Sequence, residues 1–315
     1  MKLLTALAAK LRGAPLAMCD SNDVDGIASA ALFLRRYPNG VVVLMGPSDV
    51  RRWWVKTITW DFVADLPCPG KARVRADHHK TNKPCAEVEY YDPEAPAAAL
   101  MAVKALGLDG DPVAKELVEA AIQTDTANVV DEKVRLLDLA VRHGFEKEKL
   151  EALPKLAQRG LAALEEEPLK TMAARGLEKE RLMLKIAEAI PVEEELFIYS
   201  PQPLGISYRA LVITLEKRGA KFVNVLVRRG RRRYRLYCGA HREGPHDCTK
   251  VATALGGGGH KYASGAQIKA PLLRPREPLE KLLEMLKPPL VYVLGSCDEL
   301  RWNCKEIKID ELKKT

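Results

Sequence analysis

No stretch of this 315-residue chain is apolar for the roughly 18 to 20 residues that cross a bilayer, so no membrane segment is expected. The N-terminus, MKLLTALAAKLRGAPLAM, resembles a secretory leader only briefly. Lys10 and Arg12 interrupt its apolar stretch early, and the apolar positions fall at helical spacing, which predicts an amphipathic first helix. Internal repeats and low-complexity tracts are also missing. The seven cysteines, at 19, 68, 85, 238, 248, 297 and 304, include no CxxC pair and are odd in number. Neither a zinc ribbon nor a fully paired disulfide framework is therefore expected, and a reducing, cytoplasmic setting is the simpler reading.

What is present is ordinary for globular protein: 47% apolar and 29% charged residues over a length sufficient for two domains. The net charge of +8 favours polyanionic partners and lends mild support to nucleic acid. From Pro15 to about Pro93, short β-branched runs (PLAMCD, VVVLMG, TITWDF, ARVRADHH, AEVEYYD) alternate with turn signals and one helix, IASAALFLRRY. This predicts an α/β domain over residues 1–145, with a mostly parallel sheet flanked by helices. Residues 146–190 are rich in Ala, Leu, Glu and Lys and broken at Pro154 and Pro168, which predicts a helical connector. Residues 191–315 alternate strands and helices again, as a smaller C-terminal α/β domain ending in a charged tail.

Four polar constellations stand at predicted element ends of the first domain. In DSNDVDG, residues 20–26, Asp23 and Asp25 follow an apolar strand, where carboxylates two residues apart converge on a hard cation, although either also reads as a helix N-cap. Asp77-His78-His79 follows ARVRA, and two adjacent histidines beside a carboxylate offer a metal ligand, a substrate contact and a tautomer-fixing partner. Asp61 ends TITWDF and Asp125 lies in AAIQTDTANV. Each alone reads as a cap or turn residue, but the set fits a two-metal site.

The order DVDGIAS, an aspartate after a strand, DHH and QTDTAN resembles the motifs of DHH-family phosphoesterases, and GGGGHKYASGA (256–266) resembles the glycine motif of that family's associated C-terminal domain. The resemblance implies two divalent ions, manganese foremost. Asp23 and Asp61 would hold one, and Asp25, Asp61, His78 and Asp125 the other, with Asp61 bridging and with His79, beside Asp77, facing the substrate. Cys19 stands where many members carry a histidine. As a softer ligand it points to zinc or cobalt at the first site, or to Asp20 in its place; as a small buried residue it has no ligand role. In the second domain, Gly257, Gly258, Gly259, His260 and Arg242 are the implied phosphate contacts. The basic hairpin RRGRRRYR (228–235) offers further arginines for phosphate, with Tyr234 and Tyr237 as candidates to stack bases, although most of these arginines also read as a solvated hairpin tip.

The leading expectation is an exonuclease releasing mononucleotides from short RNA or single-stranded DNA by two-metal hydrolysis. A small-nucleotide hydrolase, acting on a cyclic dinucleotide or phosphoadenosine phosphate, is the second enzyme reading, and an inactive partner in a replication complex is the reading from a different class. No membrane partner is expected, and a homodimer is left open.

Overall fold

The apolar runs of the first half form strands Leu16–Asp20 (β1), Val41–Met45 (β2), Trp60–Ala64 (β3), Ala72–Asp77 (β4) and Ala86–Tyr91 (β5) in the computed structural model, which describes residues 1–298 and 300–314. β1 is buried along its whole length, as a strand covered on both faces requires. All neighbours pair in parallel, in the order β2-β1-β3-β4-β5. Strand order reverses at β1, and in open α/β sheets the crevice at the carboxyl ends beside such a reversal is where ligands bind.

Helices Lys2–Leu11 (α1) and Trp53–Thr57 (α3) cover one face of the sheet, packing Ala6, Ala9, Trp54 and Val55 on Leu16, Met18 and Trp60. Val24–Arg36 (α2), Ala98–Leu106 (α4), Pro112–Asp125 (α5) and Glu132–His143 (α6) build the other core, which takes Ala17 and Cys19 of β1. The alternation along β1 thus sends 16 and 18 one way and 17 and 19 the other.

Contacts divide the chain into two units, Met1–Leu177 and Glu178–Thr315. The expected connector over 146–190 is not a separate element. Ala152, Leu153 and Leu156 of Glu146–Arg159 (α7), with Leu169 and Met172 of Leu169–Ala189 (α8), complete the first core, whereas Leu182, Met183 and Ile186 enter the second. Composition reports helix here, but not which core the apolar stripe meets.

The second unit contains Glu195–Ser200 (β6), Tyr208–Lys217 (α9), Phe222–Arg228 (β7), Arg233–Ala240 (β8), Cys248–Thr253 (α10), Gly258–His260 (β9), Ala263–Lys269 (β10), Glu277–Leu286 (α11), Val291–Leu294 (β11), Cys304–Ile307 (β12) and Ile309–Lys314 (α12). The sheet runs β12-β11-β6-β7-β8-β10-β9, parallel as far as β7 and antiparallel beyond it. The tail expected to be merely charged carries β12 and α12; a short edge strand with polar residues gives little apolar pattern to read.

Six of the seven cysteines pair, as Cys68–Cys85, Cys238–Cys248 and Cys297–Cys304, which corrects the expectation of unpaired thiols. The partners come from neighbouring elements of the folded chain, a proximity that sequence spacing does not carry. Among the described residues no helix is long and apolar enough to cross a membrane.

Candidate metal centre

The turn from β1 into α2 brings the first carboxylates together. Gly26 makes the turn tight, since a Cβ there would stand 2.4 Å from the Asp20 carbonyl oxygen. Asp23 caps α2, its Oδ1 accepting from the Gly26 amide at 3.1 Å, so the capping role and the ligand position coincide in one residue. Asp25 is buried, and its two oxygens accept from the Ala98 and Ala99 amides at 2.6 and 2.7 Å, at the N-terminus of α4. That helix end favours an anion. Burial nevertheless raises the Asp25 carboxyl to about 7, and burial likewise raises Asp20 to about 6.

Asp61 is not part of this cluster. It lies at the amino end of β3, where it accepts from Lys10 and the Leu16 amide and pairs with Arg73. The strand starts at Trp60 and ends at Ala64, so the carboxylate at its carboxyl end is Asp65, with φ of 57° and a buried side chain. Taking TITWDF as the whole strand placed its end too early. The signal for Asp65 was available, since the apolar FVA run stops at that residue.

Asp77 ends β4 and is fully buried. It binds Arg75 and Asn82 at 2.7 Å each and accepts from the amides of His78 and His79. Burial opposes its charge, but His79, Asn82 and Arg75 together hold the carboxyl below its usual range. Arg75, itself fully buried and also paired with Glu89, is a residue the sequence reading missed. Asp77 orients the half-exposed His79 through Nδ1 at 3.0 Å, and that bond raises the His79 pKa.

His78 carries the clearest sign of a cation site. Its Nδ1 lies 3.0 Å from the Ala95 carbonyl, which can only accept, so Nδ1 is the donor in that bond and Nε2 points away from it. Nε2 is buried without a hydrogen-bond partner, and carboxylate oxygens of Asp25, Asp125 and Asp65 lie 3.6, 3.6 and 4.0 Å from it. A buried ring nitrogen with carboxyl groups of three residues around it and no hydrogen-bond partner is the arrangement of a metal ligand.

Three groups place one potential ligand atom per residue within 4.8 Å of each other: Asp25, His78 and Asp125; Asp65, His78 and His79; and Asp20, Asp23 and Asp65. The residues present therefore fit a divalent cation, and Asp65 is shared between groups. Burial, then the charges of Asp25, Asp23, Asp20 and Asp77, push the Asp65 carboxyl well above its usual range. Cys19 is in none of these groups. It is packed in the apolar core, where burial and then Asp65 push its thiol far above the usual range, against the thiolate a metal needs. Asp20 takes its place beside Asp23. Lys149, from α7, donates to the Ser21 carbonyl at 2.6 Å and brings a cation near Asp20 and Asp23, a contact across 128 residues that no local pattern announces.

In the second unit, the glycine run becomes strand β9 paired with β10. A Cβ at Gly257 would meet the Gly265 carbonyl oxygen at 2.2 Å, and Gly259 has φ of 141°, so both positions need glycine. The Gly256 and Gly257 amides are committed to Thr253 and Ala252, which limits any phosphate nest to Gly258 and beyond. Gly258 to His260 are exposed. Arg242 lies 4.8 Å over the Tyr262 ring, and Tyr262 stacks on His260 at 5.6 Å, giving an exposed cation and imidazole at one edge of the sheet.

No family model matches the chain, and no curated protein matches it in sequence. Solved structures do. The chain is similar to the pGpG-specific phosphodiesterase PggH from Vibrio cholerae, at 16% identity over 86% of this chain and 98% of that one, with a TM-score of 0.61. Exonuclease RecJ bound to manganese matches at 14% identity over 91% and 94%, TM-score 0.55. A DHH domain from a member of a family of ribosomal proteins matches at 12% identity over 90% and 89%, TM-score 0.52. With its aspartate and histidine clusters at the carboxyl ends of a parallel sheet, the chain has the fold of the DHH-family phosphoesterases.

Proposed function

We propose that the chain is a metal-dependent phosphodiesterase that releases mononucleotides from short single-stranded RNA or DNA. The observation that carries this reading is the buried Nε2 of His78, without a partner and faced by carboxylates from three separate elements. Asp25, His78 and Asp125 would hold one cation and Asp20, Asp23 and Asp65 the other. This oxygen-rich set suits hard ions such as manganese or magnesium, and the case for zinc or cobalt falls away with Cys19. Bound there, such ions supply Lewis acidity toward a phosphoryl oxygen and acidify a water.

The chain's own side chains do the remainder. Asp77 fixes the ring of His79 and raises its pKa, which favours a proton on the exposed edge to meet a phosphoryl or leaving-group oxygen. In the second unit, Arg242, Gly258, Gly259 and His260 offer exposed donors for a phosphate group. Likeness to a pGpG-specific phosphodiesterase supports small nucleotides as a second substrate reading. The deciding assay offers purified protein labelled short RNA, short DNA, pGpG and a cyclic dinucleotide, each with manganese, magnesium, zinc or EDTA. Metal-dependent release of mononucleotides from the oligomers, lost in EDTA and in His78→Ala, is expected. Hydrolysis of none of them with any metal would overturn the reading.

A further inference from the structure

Residues 228–235, RRGRRRYR, hold six arginines and no acid. In β8 the alternation turns Tyr234, Leu236 and Cys238 into the core and leaves Arg233, Arg235 and Tyr237 on the opposite face. Lys269 of β10 stands directly across from Arg233, and Gln267 across from Arg235. Arg229, Arg233, Arg235, Gln267 and Lys269, with Tyr234 and Ile268, line a groove of about 500 Å³ that no carboxylate enters. Among the described residues, none of Arg229, Arg233, Arg235 and Lys269 forms an ion pair, and Arg235 Nε is buried with no hydrogen-bond partner. Like charges directly opposite on paired strands destabilise a sheet, and an anion lying between Arg233 and Lys269 removes that cost.

We propose that this face of β8 and β10 binds the sugar-phosphate backbone of a single-stranded nucleic acid, an inference that rests on the phosphodiesterase reading for the identity of the polyanion. Arg233 and Arg235 are two residues apart on one strand face, about 6.8 Å, comparable to the step between successive phosphates of an extended strand. The tyrosines do not read bases, contrary to the expectation from sequence. Tyr234 is buried, its hydroxyl donating to the Pro275 carbonyl at 2.9 Å. The Tyr237 ring is stacked on Tyr208 at 5.7 Å and approached by the Arg235 guanidinium at 5.6 Å. Contacts confined to phosphate carry no base preference, so the groove holds a strand without selecting its sequence.

The test measures binding of labelled single-stranded RNA of 2, 6 and 12 nucleotides to the full chain in EDTA, where nothing is cleaved. Wild-type affinity should rise with length and be similar for uridine and adenosine homopolymers. Arg233→Ala with Lys269→Ala, both exposed, should weaken dodecamer binding at least tenfold and lower the slope of log affinity against log salt by about 1 to 2. Arg235→Gln should weaken it in the same direction. Arg301→Ala with Lys305→Ala, removing equal charge elsewhere on the second unit, should stay within about twofold of wild type. Wild-type affinity and slope in the groove variants overturn the proposal, as does the absence of length dependence in wild type. Intact oligonucleotide binding with lost binding to phosphatidylserine vesicles would assign the face to anionic lipid instead. Manganese-dependent hydrolysis of a dinucleotide by the wild-type chain, measured separately, reports on the metal centre alone, so the two readings fail independently.

Discussion

The two units divide the chain's charge unequally. Residues 1–177 contain 24 Lys and Arg against 25 Asp and Glu, a net of −1, whereas residues 178–315 contain 26 against 17, a net of +9. The arrangement differs as much as the count. In the first unit basic groups are spent on acids, as in Arg75 with Asp77, Arg35 with Asp111 and Arg175 with Glu148, while Asp20, Asp25 and Asp65 are packed against each other with their pKa values raised. In the second unit Arg229, Arg233, Arg235 and Lys269 face a groove without acids. The first unit is nearly balanced and the second carries the excess of cations, so the basic pI near 9.0 comes from the second unit. An unpaired carboxylate cluster calls for metal and an unpaired arginine face calls for phosphate.

The sharpest way to break this comparison is to exchange the two aspartates of β3 and its end. Asp65→Asn should lower manganese stoichiometry and reduce hydrolysis by about a thousandfold, as loss of a group stabilising developing charge does. Asp61→Asn should keep metal and activity, costing only about 1 kcal/mol from its partly exposed pairs with Lys10 and Arg73. Equal metal loss in both variants would return the site to Asp61.

Next in size is the response of the metal-free chain to pH. Asp25 and Asp20 titrate at about 7 and about 6 when folded and near 3.8 in the unfolded chain. The folded state therefore binds more protons between pH 4 and 7, and stability must fall as pH rises through that window. In EDTA the melting temperature should drop from pH 5 to pH 8, and manganese should raise it most at pH 8, where it replaces the missing protons. Trp53, Trp54 and Trp60 lie in the first unit and only Trp302 in the second, so tryptophan fluorescence follows mainly the unit concerned. A melt that rises over the same range in EDTA contradicts the cluster's electrostatics.

Reduction should have a smaller effect, on both units. Loss of a disulfide typically costs about 2 to 4 kcal/mol. Thiol titration of the denatured chain should find one free thiol, Cys19, before reduction and seven after it. Seven before reduction would remove the cross-links.

The smallest effect belongs to Cys19. Cys19→Ala should leave metal stoichiometry unchanged and cost about 1 kcal/mol of packing, while Cys19→His should cost about 1 to 3 kcal/mol through overpacking. A metal count that follows the residue at position 19 would make it a ligand after all.

Much of this is legible in the sequence. The alternation of β-branched runs with helical stretches carries the parallel sheet, because strands buried on both faces need uninterrupted apolar residues. Asp23, Asp25, His78 and Asp125 stand in the cluster, since each sits at an element end that local patterning marks. Asp61 misled because strand length was judged from one apolar run; β3 runs on to Ala64, so the carboxylate at its carboxyl end is Asp65, at the other end of the strand from Asp61.

By itself, then, the sequence determined the periodicities, the element ends and the residue chemistry that gather there, all of them short-range properties of the chain. Only the tertiary structure decided what depends on distance in space. It chose Asp65 over Asp61 and Asp20 over Cys19, joined cysteines 7 to 17 residues apart, and set Lys269 opposite Arg233. Such choices are made by strand register and burial, which bring residues remote in sequence within ångströms of each other, and no local pattern encodes that distance.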